Sequence, residues 1–200
     1  MRRVDVAAAH PLTPPYVVKP NGQGSSMGVF IVKDGDAPLS QLKDMSDMGE
    51  HVIVEKYVPG RELTVAVMGG RALAVTEIVP DTDWYDFEAK YSDGGSSHVV
   101  PADIPEDVTK LCMEWALKAH IALGCQGVSR ADYRYDDITE NLTDIVNKIV
   151  MLEVNTQPGM TPTSLAPEQA AFCGIGFDAL CRWMIEDASW PRISAQTINA

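Results

Sequence analysis

"MLEVNTQPGMTPTSL", residues 151–165, joins an apolar run to a loop of Gly, Pro, Thr and Ser, with Glu153 and Asn155 two positions apart at the junction. A strand alternates its faces, so Met151, Glu153 and Asn155 are expected on one side, with Val150, Leu152 and Val154 on the other. The apolar set belongs to a core, and the polar set looks into solvent or into a site. "VSRADYRYD" (128–136) repeats the design, with Arg130 and Asp132 on one face and Ser129, Ala131 and Tyr133 on the other. If the two strands are neighbours, one sheet surface gathers Arg, Asp, Glu and Asn. Three oxygen-bearing side chains there suit a hard divalent cation such as magnesium, which takes a few carboxylates together with waters and substrate phosphates. The plain alternative is a solvated sheet face with a surface salt bridge. The loop weighs against it, because a glycine lets backbone N–H groups approach a ligand closely.

The bulk composition narrows the partners. The 200 residues have room for one large domain or two small ones, and with 46% of them hydrophobic they can bury a sizeable core. A formal charge of −12 argues against nucleic acid or an anionic membrane surface, though a local basic pocket can still hold a nucleotide. Cys112, Cys125, Cys173 and Cys181 form no C-x-x-C pair, so reduced thiols in a cytoplasmic protein are the simple reading. The opening "MRRVDVAAAH" is too short in its apolar run, and interrupted by Asp5, to act as a signal peptide. No segment has the length of a membrane span.

Along the chain, residues 1–15 end in "HPLTPP" and read as a stiff, extended linker. "YVVKP" (16–20) and "GVFIV" (28–32) read as paired short strands around the polar loop "NGQGSSM". A short helix is expected within 38–49, then a buried strand over 51–58. "ELTVAVMGGRALAVTEIV" (62–79) reads as a hairpin turning on Gly69–Gly70. Residues 80–104 read as one long irregular loop, a length usually tied to function or disorder. An amphipathic helix is expected over 106–124 with Leu111, Trp115, Ala119 and Ala122 as its core stripe. Residues 136–148 read as a surface excursion. A single closing helix over about 167–187 would turn Phe172, Ile175, Ala179 and Trp183 inward, with Pro191 ending it.

Two loops carry chemistry. "NGQGSSMG" (21–28) can lay backbone N–H groups over phosphates, although no G-K-[ST] follows and no helix opens there, so it is not a Walker loop. Lys19, on the strand entering it, is a candidate phosphate contact or simply a solvated charge. "VEKYVPGRE" (54–62) is a strand that breaks at Pro59–Gly60 like a hinge; its backbone with Glu55 and Lys56 can read an adenine edge, and Glu62 can hold ribose hydroxyls. "DFEAKYSDGGSS" (86–97) has the composition of a lid.

The combination of "KPNGQGSSMG", E-K-x-V-x-G-x-E (55–62), E-A-K-Y (88–91), R-x-D (130–132) and L-E-x-N-T-x-P-G-M-T (152–161) resembles the ATP-grasp enzymes, and within them the D-alanine–D-alanine ligase family. The resemblance runs from about Tyr16 to the C-terminal helix. It implies an α+β, ATP-grasp fold of two α+β subdomains with ATP between them: 1–15 as a linker or remnant, 16–58 as the small subdomain and 59–200 as the large catalytic one. It implies that Lys19 and Lys56 contact phosphate and adenine groups, Glu55 and Val58 the adenine edge, Glu62 the ribose, and Lys90 the phosphates from the lid. Asp132, Glu153 and Asn155 would bind magnesium, or manganese in its place, with Glu153 shared between two ions. Arg130 and the Gly159 N–H would face the developing oxyanion, Ser164 and Leu165 would hold the second D-alanine carboxylate, and Ser25 and Tyr91 would close over the substrates.

The implied reaction is ATP-dependent joining of two D-alanines through an acyl phosphate, for peptidoglycan. The implied partners are small molecules, ATP and D-alanine, with no nucleic acid and no membrane, and a homodimer is allowed for the full-length protein. Complete members carry an N-terminal domain with a histidine-glycine signature and a glutamate for the first substrate's ammonium group. Neither is matched here, so the chain resembles the C-terminal portion, and as an isolated fragment it is expected to be a poor ligase. Another ATP-grasp carboxylate–amine ligase and a non-catalytic nucleotide-binding fragment stand as the alternatives. A D-lactate-using relative ranks behind, on the strength of Tyr91.

Overall fold

Gly69 and Gly70 both sit at positive φ, 55° and 77°, and close a two-residue turn between β4 (Arg61–Met68) and β5 (Arg71–Pro80). Two successive left-handed residues match the right-handed twist of the flanking strands, and glycine adopts that conformation without strain. The hairpin expected from the sequence is therefore present. It seeds the larger of two units in the computed structural model, which describes residues 5–22, 27–40, 51–80 and 96–188.

The first unit reaches to Pro59. β1 (Tyr16–Pro20) is the middle strand of three, antiparallel to both β2 (Phe30–Val32) and β3 (Val52–Lys56). Tyr16, Val18 and Val32 are fully buried on one face, with Phe30, Val52 and Val54 packed against them. Of the expected extended linker, the described part, from Asp5, is folded back at its start. The Ala8 and Ala9 amides turn back onto the Asp5 carbonyl at 3.1 and 3.3 Å, and Val6 packs on the Tyr16 cluster. Apolar cover for Val6 and Ala7 outweighs the stiffness of the prolines behind them. The helix expected within 38–49 falls almost wholly outside the described residues.

The second unit, Gly60–Ile78 and His98 onward, is a five-stranded sheet in the order β6-β5-β4-β7-β8. Here β6 is Ser96–Val99, β7 is Val128–Tyr135 and β8 is Ile149–Asn155. The expected irregular loop over 80–104 thus contains an edge strand. Helix α1 (Glu106–Ala122) covers one face, where Leu63, Val65, Tyr133 and Ile149 meet Val108, Cys112 and Ala116. The buried stripe runs through Val108, Cys112, Ala116 and His120, one position on from the expected set; Leu111 and Trp115 pack beside it and Ala122 is exposed.

The excursion after β7 ends in the single turn α2 (Ile145–Lys148), capped by the Asp144 side chain. The closing helix is two helices, α3 (Leu165–Phe172) and α4 (Phe177–Asp187), broken where Gly174 takes φ 81°. They cover the other face through Ala166, Ala170 and Leu180, which pack on Ala66, Leu73 and Val128. The break re-aims the inward set: Ile175 and Trp183 pack as expected, whereas Phe172 and Ala179 are exposed and Leu180 is buried in their place. Pro191 lies outside the described residues.

Candidate active site

The sheet face that α3 and α4 leave partly open carries the polar residues of β7 and β8. The strands are antiparallel neighbours, with Asp132 opposite Glu153 and Arg130 opposite Asn155. The next pair is Tyr133 with Met151, so Leu152 has no partner and forms a bulge. One extra residue flips the alternation. Beyond it, Ile149 and Met151 join the core with Val154, while Val150 and Leu152, expected inside, are 38% and 37% exposed. Glu153 and Asn155 keep the open face, and Met151 leaves it.

Asp132 is the hub. Arg130 grips it through two parallel bonds, Nε to Oδ1 and Nη2 to Oδ2, both 2.8 Å. The Thr64 hydroxyl donates to Oδ1 at 2.6 Å from β4, and Asn155 Nδ2 donates to Oδ2 at 2.8 Å. The same Nδ2 lies 3.3 Å from Glu153 Oε1, which places the amide between the two carboxylates. Planar fork-to-carboxylate pairing fixes direction as well as charge, so Arg130 is held in one orientation.

The loop after β8 returns to the same unit. Ser164 Oγ accepts from the Thr161 amide at 3.1 Å and lies 2.7 Å from the Thr161 hydroxyl. A Cβ on Gly159 would meet that Oγ at 2.9 Å, so glycine is what lets the loop close on Ser164. Ser164 is the N-cap residue of α3 but spends its hydroxyl on this loop, not on the helix amides. The Leu165 side chain is buried, so only its backbone is available at the loop.

In the first unit, Lys19 Nζ and Glu55 Oε2 form an ion pair at 2.8 Å on the face opposite the Tyr16 core, while Lys56 is exposed and Val58 half-buried. Glu62 belongs to the second unit and faces Arg134, Nη1 to Oε2 at 3.9 Å. Ser25, Lys90 and Tyr91 lie outside the described residues. Three contributors escaped the sequence reading. Thr64 braces Asp132, Arg134 faces Glu62, and Gln169 ties α3 to β4. Thr64 and Gln169 sit in runs that look like plain strand and helix, and Arg134 was visible only as the next site-facing position after Asp132. Among the described residues no three His, Cys, Asp or Glu side chains converge; the cluster is two carboxylates and an amide.

A small antiparallel sheet, followed along the chain by a larger sheet unit with helices on both faces, belongs to the ATP-grasp class. A D-alanine–D-alanine ligase from Bacillus anthracis, complexed with ATP, superposes with a TM-score of 0.66 at 32% identity, over 86% of this chain and 53% of that one. A D-Ala:D-Ser ligase from Enterococcus faecalis gives 0.68 at 32% identity, over 88% and 50%. A D-alanine–D-alanine ligase of Cereibacter sphaeroides is 56% identical over 189 residues, 94% of this chain and 59% of the relative. The chain belongs to the D-ala D-ala ligase C-terminus family, which matches residues 3–186. It spans about three-fifths of the length of the curated relatives it matches.

Proposed function

We propose that this chain supplies the nucleotide and metal side of an ATP-dependent ligase that joins two D-alanines in the cytoplasm, for peptidoglycan. The observation that carries the reading is the Asp132–Asn155–Glu153 cluster on an open sheet face, with Arg130 fixed beside it.

The donor set suits magnesium, with manganese as a substitute. Two carboxylates and an amide would supply hard oxygen ligands, and the Asn155 amide lies between the two carboxylates. Turning the amide over would present its oxygen to a bound cation. Bound metal would neutralise the phosphate charge that builds during transfer. Arg130, preoriented by Asp132, and the Gly159 N–H are the donors for the oxyanion formed when the amine attacks the acyl phosphate. Ser164 and the start of α3 would hold the carboxylate of the second substrate. The exposed Val150 and Leu152 give the same face an apolar floor for the purine. Lys19, Glu55, Lys56, Val58 and Glu62 are assigned to the nucleotide, and Ser25, Lys90 and Tyr91 to closure over the substrates.

No described helix is long and apolar enough to cross a membrane. A homodimer of the intact protein, without nucleic-acid or membrane partners, completes the proposal. The likeness to a D-Ala:D-Ser ligase keeps D-serine as a second reading for the amine substrate. Phosphate release by the intact gene product, with D-alanine as first substrate and D-alanine, D-serine or D-lactate as second, decides between them. Turnover fastest with D-alanine is expected, and no D-alanine-dependent release from ATP would overturn the proposal.

A further inference from the structure

Arg134 is the next residue after Asp132 on the open face of β7, and none of the roles above uses it. Its Nη2 donates to the Gly60 carbonyl at 2.7 Å, and its Nη1 lies 3.9 Å from Glu62 Oε2. Both side chains are mostly buried, 14% and 17% exposed. The turn it grips is fixed from the other side as well. Gly60 sits at φ 89°, and a Cβ there would meet the Tyr135 carbonyl at 2.2 Å. One planar guanidinium therefore ties down the carbonyl two residues before Glu62 while its charge faces the Glu62 carboxylate. The 3.9 Å contact is too long for a hydrogen bond, so it orients by charge, and the Gly60 bond supplies the rigidity.

We infer that Arg134 is a positioning residue for Glu62, holding that carboxylate and its turn where they meet the ribose hydroxyls of the bound nucleotide. This rests on the proposed nucleotide reading of Glu62. A side chain that only stapled β7 to the turn would change folding and the affinity for every nucleotide alike. A positioning residue changes how strongly the site distinguishes a ribose from a sugar without hydroxyls.

The test compares KM for ATP and for 2′,3′-dideoxy-ATP in the intact protein, its Glu62→Gln, Arg134→Met and Arg134→Lys variants, and the Glu62→Gln/Arg134→Met double variant. A carboxylate accepting from a hydroxyl is expected to give ATP roughly a tenfold preference or more. Glu62→Gln, whose amide oxygen still accepts but carries no charge, should weaken it clearly. Arg134→Met should reduce it at least as far by raising KM for ATP, with KM for the dideoxy nucleotide, which has no hydroxyl for Glu62 to hold, within about twofold. The double variant should be no worse than Glu62→Gln. Arg134→Lys, which keeps the charge without the planar fork, should fall between and carries the test if Arg134→Met does not fold. A full preference in Arg134→Lys and Arg134→Met, or an equal rise in both KM values, overturns the inference while leaving Glu62 in place. A preference undiminished in Glu62→Gln overturns the ribose assignment and the inference together.

Discussion

Gln169 reaches from α3 into the sheet and bonds β4 twice, its Oε1 accepting from the Ala66 amide at 2.7 Å and its Nε2 donating to the Thr64 carbonyl at 3.2 Å. The β4–β5 register slips between Val65 and Val67, so Ala66 has no partner on β5, and the glutamine supplies what the ladder omits. It is completely buried. Gln169→Leu leaves the Ala66 amide unbonded in the core, at about 1–3 kcal/mol, and removes the side-chain bond to the Thr64 carbonyl, whose residue keeps its ladder partner Thr76. A fall in stability of roughly 1–3 kcal/mol is expected, read from the urea midpoint. An unchanged midpoint would mean the Ala66 amide finds another partner.

Glu153 and Asp132 face the same site, but their removal should differ. Glu153 is exposed and takes one long bond, from Asn155 at 3.3 Å. Glu153→Ala should keep circular dichroism and stability within about 0.5 kcal/mol, typical of a surface change, while the turnover proposed for the intact protein is lost. Asp132→Ala removes the paired carboxylate from the Arg130 fork and the shorter of the two bonds of the Thr64 hydroxyl, and breaking a buried pair costs about 3–5 kcal/mol. Equal stabilities of the two variants in urea titration would contradict the hub role of Asp132.

Asp136 makes the acid stability of the second unit predictable. Burial works to raise its pKa from 3.8, but the Thr139 hydroxyl and amide, the Ile138 amide and the Lys148 charge together outweigh burial and lower it. A depressed carboxylate contributes stability that is fully present above its unfolded pKa and lost as pH falls through the folded one. Asp136→Ala should therefore be less stable than the parent at pH 7, and the gap should close as pH drops below about 4, the unfolded carboxylate range. A gap that widened in acid would reverse the assigned sign.

What the sequence revealed follows from which signals are local. The Gly69–Gly70 turn, the β1–β2 pair and the Asp132–Glu153 pairing rest on turn chemistry and alternation, and they are present as read. Ser164 and Gly159 also meet in the loop that the opening stretch singled out. What escaped depends on tertiary context. The α3–α4 break looked like one amphipathic run, because Gly174 is marked as a stop only once Leu180 packs on the sheet. Thr64, Arg134 and Gln169 are polar residues in otherwise ordinary elements, and their partners are far away in sequence.

The Leu152 bulge offers the sharpest test of that reasoning. Removing Leu152 leaves Asp132 opposite Glu153 and Tyr133 opposite Met151, so every existing pair survives in a regular ladder. Removing Val150 with those pairs kept moves Ile149 to the open face beside Arg134 and puts Lys148 opposite Tyr135 in the core. Exposing a buried isoleucine alone costs about 1.5–3 kcal/mol, and drawing a lysine inward adds to it. The Leu152 deletion should therefore fold with a nearly unchanged urea midpoint, while the Val150 deletion should be severely destabilised. The same Leu152 deletion should still weaken ATP binding in the intact enzyme, because it removes an exposed apolar residue from the proposed purine floor. If both deletions unfold alike, the bulge is required for the twist of the sheet and Leu152 is not simply an inserted contact.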